Sequence, residues 1–236
     1  MELLAALLDL VPLALLAGVV GLDVVSFPQA MISRPIVGAT LGGAFLGAPE
    51  AGLVCGTALE CLALESLPVG ASRYPEWGSA SVAAGAVASV GATSSSFPDV
   101  GAFAVAVLVG IATGWIGGWT MVKQRQIIAG FARPRLDQLA AGSRKTVIGL
   151  QVFGMTLDLA RGTVLGALMI LVARPLAVLV NARWSVGEDL SRAIIITAVV
   201  GVAAAAVWKD FHAISGTRRL FVAALAVGTL LVVVGA

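Results

Sequence analysis

Charge is scarce in this chain. Lys, Arg, Asp and Glu make up 12% of its 236 residues, where an ordinary soluble domain carries about 25%. Set against 59% hydrophobic residues, that leaves too little polar surface to wrap a soluble globule of this size. Disorder and an ordinary cytosolic enzyme are both excluded. Cysteine is scarce too. Cys55 and Cys61 are the two present, too few for a secreted disulfide scaffold, and their spacing in an apolar stretch suits no zinc site. They read as two small core residues. A single histidine, His212, leaves no zinc-binding pair. There is no phosphate loop of P-loop type and no nucleophile elbow, so the chain is not expected to bind ATP or to be an enzyme. No basic face alternates with aromatics, which removes nucleic acid as a partner. Nothing in the sequence asks for a cofactor or a metal.

What is there is apolar and uneven. Apolar segments run over about 3–22, 35–48, 51–69, 79–92, 100–122, 147–180, 190–208 and 219–236. A helix needs about 20 residues to cross the hydrocarbon. Segments 100–122, 190–208 and 219–236 meet that length, and 147–180 exceeds it. Its first part is amphipathic (Gln151, Asp158, Arg161), so one tilted helix with an interfacial entry accounts for it. The N-terminus turns apolar at once, without the positive n-region of a cleaved signal, and residues 3–20 read as a retained membrane segment. The expected fold is an all-α polytopic membrane helix bundle, one domain over 1–236.

Region 23–92 behaves differently. Its apolar pieces are short and are broken at Phe27-Pro28, Arg34-Pro35, Pro49, Pro68 and Tyr74-Pro75. Proline removes a backbone donor and clashes with the preceding turn. Broken backbone at membrane depth survives only where protein buries it or where it lines a wet cavity. Short or re-entrant helices are therefore expected here, and such interrupted segments point to a transporter's binding region.

Charge along the chain sets an orientation. Between residues 121 and 147 stand Lys123, Arg125, Arg133, Arg135, Arg144 and Lys145 against Asp137 alone. The positive-inside rule makes 122–146 a basic cytoplasmic loop, with the C-terminal transmembrane helices following over 147–236. Trp115 and Trp119 read as an interfacial aromatic belt before that loop.

An ionisable residue at bilayer depth is costly and is a functional candidate by default. The candidates cluster: Asp23, Gln29, Ser33 and Arg34 in the first broken stretch, then Glu60, Glu65, Ser66, Arg73 and Glu76. On a continuous helix Glu60 and Glu65 would lie about 140° apart, but Pro68 follows closely and unwinding could let both approach one cavity. Carboxylates and amides bind polyhydroxylated ligands through several hydrogen bonds each, and Tyr74 and Trp77 supply an aromatic platform nearby. The competing reading pairs Glu60 with Arg34 or Arg73 as a structural ion pair. His212 reads as part of a simple turn between helices.

Two stretches are more specific than generic membrane sequence. One is Ser26-Phe27-Pro28-Gln29-Ala30-Met31-Ile32-Ser33-Arg34-Pro35-Ile36-Val37. The other is Gly52-Leu53-Val54-Cys55-Gly56-Thr57-Ala58-Leu59-Glu60-Cys61-Leu62-Ala63-Leu64, followed by Pro68-Val69-Gly70-Ala71 and Pro75-Glu76. Together they resemble the IIC membrane subunit of the mannose/fructose/sorbose family of the bacterial phosphoenolpyruvate-dependent sugar phosphotransferase system. The resemblance implies a permease subunit in the inner membrane that forms a sugar path with a IID membrane subunit. It implies that a cytoplasmic IIB protein, fed by IIA, phosphorylates a hexose-type sugar as it arrives, and that this chain is not itself phosphorylated. Glu60 matches the family's Leu-Glu acid, and Glu65-Ser66 falls where the family places polar sugar contacts. Ser66-Leu67 stand where the family often has Trp-Asn, and Ser33 where histidine or asparagine is common. Glu60, Gln29, Ser33, Glu65 and Ser66 are thus the expected sugar contacts, with Asp23, Arg34 and Arg73 setting the electrostatics or pairing as ions. A stand-alone ion-coupled transporter or channel, with protons or cations on Glu60 and Glu65, is the rival class. A non-transporting sensor or scaffold is the third.

Overall fold

The computed structural model describes residues 2–64, 73–92, 97–184 and 186–235. Among them there are helices and no strands. In chain order these are α1 (Glu2–Asp23), α2 (Pro35–Phe45), α3 (Pro49–Ala63), α4 (Trp77–Ala88), α5 (Val100–Ala132), α6 (Leu136–Ala140), α7 (Arg144–Arg183), α8 (Glu188–Phe211) and α9 (Thr217–Gly235). The all-α expectation holds. Among the described residues three stretches are long and apolar enough to cross a membrane: Val100–Ala140, Arg144–Arg183 and Glu188–Lys209.

The broken region folds as short helices because its prolines start helices rather than interrupt them. Pro35 and Pro49 each open a helix at its first turn, where the missing N–H costs nothing and the fixed φ is already helical. Between α2 and α3 the chain reverses at Gly47, whose φ is +79°, a conformation open to residues without a Cβ. At 11 and 15 residues, α2 and α3 extend about 17 and 23 Å at 1.5 Å per residue. Both fall short of the about 30 Å hydrocarbon core, so neither crosses it alone.

α4 is the centre of the molecule. It packs against α1, α2, α3, α5 and α7, and every residue from Gly78 to Ala88 is buried. Its small side chains permit this. The Ala39 peptide of α2 is gripped between Gly52 of α3 and Gly85 of α4, and a Cβ on either glycine would collide with the Ala39 carbonyl oxygen. Helices without a hydrophobic drive between them associate through such close small-residue contacts. The larger apolar cluster joins Leu59 of α3, Val87 of α4, Phe103 of α5, Ala173 of α7 and Ile195 of α8. Cys55 is buried in it, whereas Cys61 is only partly buried.

The basic segment differs from expectation. Rather than a loop over 122–146, α5 continues helical to Ala132, a single 3-10 turn and α6 follow, and the reversal into α7 is confined to a turn around Gly142. Lys, Arg, Gln, Ala and Leu are good helix formers, so the helix propagates past the apolar span. At 33 and 40 residues, α5 and α7 reach about 50 and 60 Å, well beyond the hydrocarbon. Their ends form a long basic hairpin. The expectation of one continuous helix over 147–180 is met by α7.

Candidate functional site

Where the α1–α2 loop, the end of α3 and the segment before α4 converge, they enclose a cavity of about 100 Å³. Its walls include Ser33, Arg34 and Pro35 on one side and Tyr74, Pro75 and Trp77 on the other. Tyr74 and Trp77, the aromatics that the sequence sets near the polar cluster, thus share one wall. Glu60, in the last turn of α3, forms an ion pair with the Nη2 of Arg34 and accepts a hydrogen bond from the Ile36 N–H at 3.2 Å. The Arg34 side chain is 43% exposed and that of Glu60 18%. Ion pairs open to this degree contribute about 0–1 kcal/mol; Arg34 lines the cavity, and Glu60 holds it from just outside the lining.

The wall that carries Arg34 is shaped by Asp23. This carboxylate, 2% exposed, accepts from the Ala30 N–H at 2.6 Å and from the Ser33 N–H and hydroxyl at 2.9 Å each. Gln29 and Met31 hold φ of 58° and 62°, a region costly for residues with a side chain and kept only where the surroundings impose it. Asp23 thus organises the loop rather than lining the cavity. Gln29 stands on the exposed side of that loop and donates to the Val25 carbonyl at 3.2 Å, away from the cavity walls. Ser33 faces the cavity, with its hydroxyl proton engaged by Asp23. Arg73 does not reach Glu60. It lies exposed over the Trp115 ring, 5.7 Å from its centroid, so of the two ion-pair partners anticipated for Glu60 the structure selects Arg34. Glu65 and Ser66 fall outside the described residues.

Sequence reasoning did not assemble a second polar group behind the same cavity. Glu76, fully buried, caps α4 by accepting from the Ser79 N–H at 3.0 Å and from the Ser79 hydroxyl. Its Oε2 lies 3.7 Å from Nη1 of Arg161 on α7. Arg161 also donates to Asp158 at 3.2 Å and to Gln124 on α5 at 3.0 Å. The other oxygen of Asp158 accepts from the Ser26 hydroxyl at 2.7 Å. The signal was present as an acid and a base three apart, Asp158 and Arg161, in the amphipathic first part of α7. Gly117 and Gly118 let α5 come close to the Tyr74–Glu76 segment, since a Cβ on Gly118 would collide with the Tyr74 carbonyl.

A helical membrane bundle whose short helices meet at a polar, aromatic-lined cavity has the architecture of a transport subunit. The chain belongs to the family described as the PTS system sorbose-specific IIC component, whose model matches residues 7–208. It is a multi-pass membrane protein and a membrane subunit of a phosphotransferase-type sugar transporter. The match contains every element around the cavity and stops before α9. No curated protein and no solved structure matches the chain.

Proposed function

We propose that this chain forms the path of a hexose-type sugar together with a IID membrane subunit in a bacterial inner membrane. In this reading IIB phosphorylates the arriving sugar and IIA recharges IIB. The observation that carries it is the half-open Glu60–Arg34 pair set beside Tyr74 and Trp77. A carboxylate and a guanidinium side by side offer acceptors and donors to vicinal hydroxyls, and an aromatic face covers the apolar side of a sugar ring. Glu65 and Ser66 would complete the polar set, and the broken-helix region 23–92 would move against the C-terminal helices. Purifying the tagged chain from its native membrane in mild detergent tests the assembly. Recovery with a second membrane subunit and soluble phosphocarriers supports it. Recovery of this chain alone, under conditions that preserve other complexes, overturns it in favour of an ion-coupled transporter.

The α5–α7 hairpin faces the cytoplasm in this arrangement. A cysteine at Ser143, in a chain with Cys55 and Cys61 replaced by alanine, is expected to react with an impermeant maleimide in inverted vesicles and to resist it in intact cells. The reverse pattern would invert the topology.

Phosphoryl transfer stays off this chain. His212 sits exposed in the turn after α8, its Nδ1 2.6 Å from the Lys209 carbonyl oxygen. Replacing it with alanine is expected to leave sugar uptake unchanged. Label from phosphoenolpyruvate should appear on the soluble partners and not here.

A further inference from the structure

We propose that Arg161 is a positioning residue that ties one wall of the cavity to α7 directly, through Glu76, and the other by orienting Asp158, the anchor of Ser26. This rests on the cavity being the sugar site. One wall, the 24–34 loop, carries Ser33 and Arg34 into the cavity and sends Ser26 the other way, to Asp158. The opposite wall carries Tyr74, Pro75 and Trp77 into the cavity, while Glu76 turns away to Arg161. Asp158 and Glu76 both end on one guanidinium, whose side chain is 9% exposed. Gln124 and the Gly117 carbonyl, at 3.4 Å, fix its remaining edge to α5.

The chemistry favours a geometric role over a stabilising one. Two carboxylates share a single buried cation, and buried ion triads of this kind can often be exchanged for apolar side chains with no loss of stability. What an apolar exchange would lose is direction. The planar fork of arginine presents its donors at fixed angles, and lysine, with three donors on one nitrogen, cannot reach these four acceptors in the same way. A wall displaced by 1 Å costs about 100-fold in a reaction that depends on placement.

The test uses the full chain with Cys55 and Cys61 replaced by alanine and spin labels placed in pairs. One label sits at Gln151, exposed on α7, and the other at Ala30 on the first wall or Arg73 before the second. Arg161→Gln is expected to broaden both distance distributions, and Arg161→Lys to restore them in part. Ser26→Ala should broaden only the Ala30 pair and Glu76→Gln only the Arg73 pair. In the assembled complex, Arg161→Gln should lower kcat/KM for radiolabelled mannose, fructose or sorbose by about 100-fold.

Unchanged distributions in folded Arg161→Gln overturn the proposal. If that variant does not fold, unchanged distributions in Ser26→Ala and Glu76→Gln overturn it as well. Broadened distributions in a system whose unmutated complex takes up none of the three sugars uphold the tie and refute the sugar reading instead.

Discussion

Replacing Glu60 with glutamine is expected to abolish sugar uptake while leaving the protein folded and assembled. Glutamine keeps the shape and one acceptor but loses the charge that holds Arg34 at the rim. A hydrogen bond to a charged group contributes about 1.5–3 kcal/mol. Two such bonds to one sugar, from Glu60 and the Arg34 it orients, make the loss about 100-fold or more. The ion pair itself is too open to matter much to stability, so the amount of complex on a native gel should not change. Uptake of a radiolabelled hexose, normalised to that amount, is the measurement. Loss of the complex would assign Glu60 to structure, and normal uptake would remove it from the path.

Gly85→Ala is expected to damage the fold more than any surface change. The new methyl would press on the Ala39 carbonyl, which Gly52 already confines from the other side. Backbone cannot swing away as a side chain can, so α2, α3 and α4 have to separate. Overpacking of this sort costs about 3 kcal/mol, or about 10 °C in melting temperature for a chain of this size. Gly149→Ala on α7 is the control. Nothing lies within 4 Å of its Cβ position, and alanine is the better helix former by about 1 kcal/mol. Equal melting of the two variants in detergent would show that the three-helix contact is looser than described.

The fold was legible in the sequence where hydrophobicity decides structure. The long apolar segments became α5, α7 and α8, and Pro35 and Pro49 marked the short helices because proline belongs at a helix start. The basic stretch misled for a physical reason. Charge clustering reports on which side of a membrane a segment lies, not on whether its backbone is helical, and its residues are strong helix formers. Beside the cavity, Glu60 stood out as an acid in apolar surroundings, and Arg34 was among its foreseen partners. Gln29 did not reach the cavity because Asp23 folds the loop around itself and leaves that side chain outside. The tie through Arg161 was out of reach for a different reason. Ser26 and Asp158 are 132 positions apart, and no local pattern reports a contact that only the packing of α1, α4, α5 and α7 brings about.

The burial of α4 carries a consequence for biogenesis. At 12 residues it is about 18 Å long, and its side chains are mostly alanine, glycine and serine. Such a segment gains too little from lipid to leave the translocon as an independent unit. Beyond the Ser79 N–H that Glu76 caps, its end groups would meet hydrocarbon with little to satisfy them. α4 is translated after α1, α2 and α3, against which it also packs, and before α5 and α7, which complete its enclosure. Its burial is therefore completed only when those later helices are made. A ribosome stalled between α4 and α5 would leave the central helix packed on one side and bare on the other.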